Sequence, residues 1–152
     1  MHVEFLTLFM ISATLIKPAG GHDGAMGVVK QRMDLMSSLG KTMKSLNAMA
    51  RGKTDYDGKA VQRAGEHILR QSEQMKDLFP KGSNQMPSVA KPEIWTKPDE
   101  FNAMADALGV EAQKLGVVGK SGGRDALKRQ FHRIGKACSA CHKSFRAKRR
   151  KH

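Results

Sequence analysis

Apolar side chains recur at alternating steps of three and four residues along four stretches of the chain, the repeat of a helix with one buried face. The first stretch lines up Val29, Met33, Met36, Gly40, Met43, Asn47 and Ala50, with Leu39 and Leu46 widening the stripe. It predicts an amphipathic helix of about seven turns, roughly 35 Å long, that Gly52 ends. Gly40 costs this helix propensity and offers a point of close approach to a neighbouring helix or a bound group. A second helix follows Tyr56, with Asp57 as its N-cap and Val61, Ala64, Ile68, Met75 and Leu78 as its stripe, Gln71 filling the gap. Pro80 and Gly82 stop it. A third starts at Pro98, where Asp99 and Glu100 suit the positive helix end, and carries Phe101, Met104, Leu108, Ala112, Leu115 and Val118. After a turn at Gly119, Gly122 and Gly123, the fourth runs from about Arg124 with Leu127, Phe131, Ile134, Cys138, Cys141 and Phe145 on one side. The connection between the second and third carries Pro80, Pro87, Pro92 and Pro98, so it is expected to be extended and irregular, and long enough to cover an edge of something bound. No strand pattern or hairpin dipeptide competes. The expected fold is all-α: an antiparallel four-helix bundle with a cofactor between facing helices.

Ahead of the bundle, residues 5–16 form an apolar run too short to span a bilayer but suited to the core of a secretory signal peptide. Only His2 and Glu4 precede it where a basic region is usual, and cleavage within residues 18–25 is plausible. The expected organisation is a signal peptide and leader over 1–24 and one domain over 25–152, with a basic tail and no membrane span. Composition adds two constraints. Aromatic residues make up 5% of the 152 and methionine is plentiful at 10, so a core of Leu, Ala, Val and Met around a large flat cofactor fits the inventory. The formal charge of +13 raises nucleic acid, an acidic membrane surface or an acidic redox protein as partners. Much of the excess sits in Lys143, Arg146, Lys148, Arg149, Arg150 and Lys151, with no aromatic interleaving, which speaks against nucleic acid.

The chemistry concentrates in Cys138, Ser139, Ala140, Cys141 and His142. Two thiols three residues apart followed at once by a histidine is the attachment signature of a c-type haem. The sulfurs add to the porphyrin vinyl groups as thioethers, and the imidazole reaches the iron from one face. On a helix Cys138 and His142 share a face. A thioredoxin-like pair would need a βαβ context, and a zinc site a second pair of ligands. The chain has no further cysteine, and His2, His22, His67, His132 and His152 show no paired spacing near the motif.

These residues resemble those of a known family, the cytochromes c′ and their low-spin relatives among the class II c-type cytochromes. The resemblance covers residues 28–146. It rests on the late Cys-x-x-Cys-His motif, on Phe145 and Arg146 just after it, on Pro92, Glu93, Ile94 and Trp95, on Leu78, Phe79 and Pro80, and on Arg32 with Met36. It implies one covalently bound haem c, thioethers at Cys138 and Cys141, and His142 as proximal iron ligand. It places Arg32 near the haem propionates and Arg146, one helical turn beyond His142, beside the proximal imidazole. Phe79, Trp95 and Phe145 are expected to pack near the porphyrin, and Met33 to border the cofactor beside Met36. Met36 takes the position facing the sixth side of the iron. If it binds, the protein is a single-electron carrier; if it does not, the iron is five-coordinate and takes nitric oxide or carbon monoxide. The resemblance further implies a periplasmic protein and a homodimer through the first two helices; no nucleophile, base and orienting trio stands out in the sequence, so no enzyme is expected.

Overall fold

Four long helices form where the four stripes place them. The computed structural model describes residues 26–148; the leader over 1–24 and residues 149–152 of the basic tail lie outside the described residues. Helix α1 is Gly27–Ala50, α2 Gly58–Met75, α4 Pro98–Ser121 and α5 Arg124–Phe145, with a single-turn helix, α3, at Glu93–Thr96. The termini follow the local chemistry. Gly52 adopts φ of +72°, a left-handed conformation that side chains rarely take, and the chain leaves α1 there. The Asp57 carboxylate accepts from the Ala60 N–H at 3.0 Å and caps α2. Pro98 opens α4, where its missing N–H costs nothing.

Successive long helices run antiparallel. At one end the Tyr56 hydroxyl donates to the Val118 carbonyl at 2.9 Å, and Arg124 donates to the Thr54 carbonyl at 3.3 Å, tying the α1–α2 turn to the α4–α5 turn. At the other end the rings of Phe79, Phe101 and Phe145 meet edge to face, with centroids 4.8 and 5.4 Å apart. Buried Leu46, Val61, Ile68, Leu115, Leu127 and Ile134 fill the core between.

The closest approach is between α2 and α4, and it does not involve Gly40. A Cβ placed on Gly65 would come within 2.7 Å of the Gly116 nitrogen and 2.8 Å of the Ala112 carbonyl oxygen. Both are backbone atoms of the facing helix and cannot swing aside. Around Gly40 nothing lies within 4 Å of the same position. Gly65→Ala is therefore expected to lower stability by about 2 kcal/mol through overpacking. Gly135→Ala, in open space within α5, should raise it by roughly 0.5–1 kcal/mol. Thermal melts of the two variants check both signs.

Candidate functional site

The α1 stripe divides into two registers. Leu35, Leu46 and Met49 are covered by protein, whereas Val29, Arg32, Met33, Met36, Leu39, Gly40 and Met43 border a cavity of about 540 Å³. That volume suits a cofactor-sized ligand. Helix α5 contributes Ala137, Cys138, Cys141 and His142 to the wall, and α4 contributes Phe101, Met104 and Leu108. Residues 87–90 of the proline-rich connection close one side. The apolar wall of this cavity thus carries the motif and five of the seven α1 stripe positions, Val29, Met33, Met36, Gly40 and Met43, with Leu39 beside them.

The two cysteines are free and half-buried in this wall. Burial pushes both thiols up from their ordinary value, with Cys138 adding to the rise at Cys141. They stay protonated near neutrality, unlike the thiolates of a reactive redox pair. Burial, and then the charge of Arg146, push the His142 imidazole down from its usual value, which keeps it neutral. Among the described residues its ring nitrogens have no hydrogen-bond partner, so a lone pair is free to bind a metal. Among the described residues no group of three or more His, Cys, Asp and Glu side chains gathers as a metal-ion site.

Arg32 behaves unlike a surface cation. It is 6% exposed, and its guanidinium lies 4.6 Å from the Phe79 ring centroid. It donates to the Ser83 carbonyl, and its Nε to the Val28 carbonyl at 3.4 Å. Its Nη1 is buried with no partner. Desolvation pushes its pKa down, so an unpaired cation here is costly until an anion meets it. Two thiols and a neutral imidazole on one wall, an apolar cavity, and a buried cation short of one acceptor fit a haem with its propionates.

The family model for cytochrome c′ matches residues 27–146. The chain belongs to the cytochrome c′ family. It is 32% identical over 152 residues to cytochrome c-556 of Agrobacterium fabrum, covering 98% of this chain and 99% of that protein. It is 29% identical over 127 residues to cytochrome c-554 of Cereibacter sphaeroides, covering 80% and 81%. The solved cytochrome c′ from Rhodopseudomonas palustris superimposes with a TM-score of 0.75 at 27% identity, covering 83% of this chain and all of that one. A variant of cytochrome c prime from Alcaligenes xylosoxidans, solved as its nitric oxide complex, gives a TM-score of 0.72 at 25% identity over 80% of this chain and 94% of its own. As a cytochrome c′ family member the protein carries one covalently bound haem c.

The structure brings Arg32, Met33, Met36, Phe79, Cys138, Cys141, His142 and Arg146 to one cavity. Trp95 packs against the core behind the cavity wall: its indole meets the cavity-lining Phe79 at 6.3 Å and donates to the Pro80 carbonyl at 2.9 Å, holding the loop. One expectation needs correction. Arg146 is not a further helical residue. Helix α5 ends at Phe145, and Arg146 is extended and bridged to Ala90, although its N–H still reaches the His142 carbonyl at 3.0 Å. Residues 87–90 of the proline-rich connection border the cavity, as the length of that connection led the sequence analysis to expect; the role of the Ser83 carbonyl, a backbone feature with no side-chain signature, was missed. Among the described residues no helix is long and apolar enough to cross a membrane.

Proposed function

We propose that this cytochrome c′ family protein carries single electrons: Cys138 and Cys141 would hold the haem as thioethers, and His142 and Met36 would bind its iron. The observation that carries the reading is that the Met36 thioether on α1 and the His142 imidazole on α5 border the same cavity as the two thiols. Bound haem c supplies an iron that takes up and returns one electron. The protein's own groups do the rest. Arg32, locked by Ser83 and Phe79, offers Nη1 to a propionate and holds one edge in register. A thioether from Met36 favours the reduced state and raises the potential. Methionines at 33, 43, 75 and 104 exclude water from the remaining wall.

The relatives named cytochrome c-556 and c-554 support the carrier reading. The nitric oxide complex of the Alcaligenes xylosoxidans protein supports a second one, a five-coordinate iron open to small gases. Catalysis enters neither, since the iron is the reactive centre of this reading. Export by the leader over 1–24 would place the carrier in the periplasm. A homodimer through α1 and α2 would bring Lys41, Lys44, Lys59 and Arg63 of two copies together, and this repulsion opposes pairing at low salt. Protein-film voltammetry tests the proposal. A reversible one-electron wave that stays in place when carbon monoxide is added is the expected result; a wave displaced by the gas would favour the open site.

A further inference from the structure

The connection between α2 and α4 is fastened to the end of α5. Ala90 pairs with Arg146 in an antiparallel bridge. The Lys91 N–H donates to the Phe145 carbonyl at 2.9 Å, and the Ala147 N–H to the Val89 carbonyl at 2.8 Å. The Lys91 ammonium donates to the Lys143 carbonyl at 2.9 Å. Chain segments some fifty residues apart thereby place Lys91 among Lys143, Arg146 and Lys148, at the cavity edge that holds His142. Among the described residues none of these four cations pairs with a carboxylate. Asp125, the one acid of α5, lies about 27 Å away along the helix. Glu93, exposed on α3, is the nearest carboxylate in sequence to the strap. Met86, next to the cavity-lining Pro87, is 83% exposed.

We propose that this end of the molecule is a docking surface for the acidic face of a redox protein, with Lys91, Lys143, Arg146 and Lys148 as its cations and Met86 as its apolar contact. The inference rests on the carrier reading, for which it names the partner's chemistry. An adaptable apolar tip beside unpaired cations matches the small, charged interface of a transient redox encounter. A lipid surface would call for a broad apolar face, and a single methionine does not make one. Positive potential concentrated where the haem-binding groups reach the surface would steer acidic partners to the edge from which an electron leaves by the shortest path.

The test compares two charge-reversing pairs in the haem-loaded protein. K143E/K148E alters the patch and keeps the Lys91 hydrogen bond; K120E/K128E makes the same change in net charge towards the far end of the bundle, away from α1 and α2. Oxidation of the ferrous protein by ferricyanide, an anion, should slow about tenfold for the first pair at low salt, and less than twofold for the second. With tris(phenanthroline)cobalt(III), a cation, the first pair should be faster. Both differences should fade as the Debye length shrinks from about 30 Å to 8 Å. A hexaglutamate peptide should shift the amide signals of Val89, Lys91 and Lys143 in the native protein and not in the first pair. Equal effects of the two pairs would overturn the proposal, leaving net charge alone. Binding to vesicles rich in phosphatidylglycerol that the first pair abolishes, with unchanged ferricyanide rates, would overturn it in favour of a lipid surface. The comparison between the two pairs does not depend on Met36, which both keep, so an open iron site revealed by voltammetry would sink the carrier reading without touching that comparison.

Discussion

Replacing Cys138 and Cys141 together by Ala is expected to free the haem: acidified acetone should extract it from the variant and leave it with the native polypeptide. Axial bonds to iron break when acid protonates the ligands, whereas thioether carbons do not exchange. Both cysteines border the cavity on one face of α5, so a porphyrin seated there would be joined to the helix at two points. Without them the haem becomes a dissociable ligand, and its contribution to stability follows mass action. A ligand held a thousandfold above its Kd stabilises by about 4 kcal/mol. Losing that term should lower the melting temperature by about 15 °C for a domain of this size. Haem extraction from the native chain would contradict thioether attachment.

Met36→Ala carries the second large effect. Removing the thioether leaves His142 as the single axial ligand from the protein, and the iron should become high-spin and bind carbon monoxide. The potential should fall by roughly 0.1 V, a modest part of the span of about 0.8 V that axial ligands command. Met33 is the internal control. It borders the same cavity one turn earlier on α1, so Met33→Ala removes a similar volume without removing the ligand. If Met33→Ala gave the high-spin product and Met36→Ala did not, the ligand would be one turn away from where the family resemblance puts it. Magnetic circular dichroism of the two variants separates these outcomes.

Three ends of the long helices were legible in the sequence because a local residue fixes them: Gly52 in a left-handed turn, Asp57 as a cap, Pro98 at a first turn; the stripe of α2 ran on to Leu78, where the α-helix has already tightened after Met75 into a 3-10 turn over residues 76–78. The three-and-four spacing also gave the right faces, but it could not say what covers them. On α1 it joined Leu46, which protein buries, with Met33, Met36, Leu39 and Met43, which border the cavity. On α2 the residues pressed against α4 are Gly65 and Ser72, too small or polar to stand out beside Ala64 and Gln71. The motif residues were legible because Cys138, Cys141 and His142 lie within five consecutive positions of one helix. Arg32 was not: alone it reads as one of 27 basic residues, and its burial depends on a carbonyl 51 residues away. The bridge from Ala90 to Arg146 escaped for the same reason, being set by backbone pairing across the chain; the helix α3, closed by local bonds within residues 92–97, is a single turn and too short to show a periodic stripe.

The account turns on whether Met36 completes the iron's coordination. One absorption spectrum of the native protein, taken oxidised and reduced, decides it most directly. The expected result is low-spin bands in both states, a sulfur-to-iron charge-transfer band in the oxidised form that Met36→Ala abolishes, and a reduced Soret band that carbon monoxide leaves in place. A broad high-spin Soret band that shifts on adding carbon monoxide would contradict methionine ligation and with it the single-electron carrier.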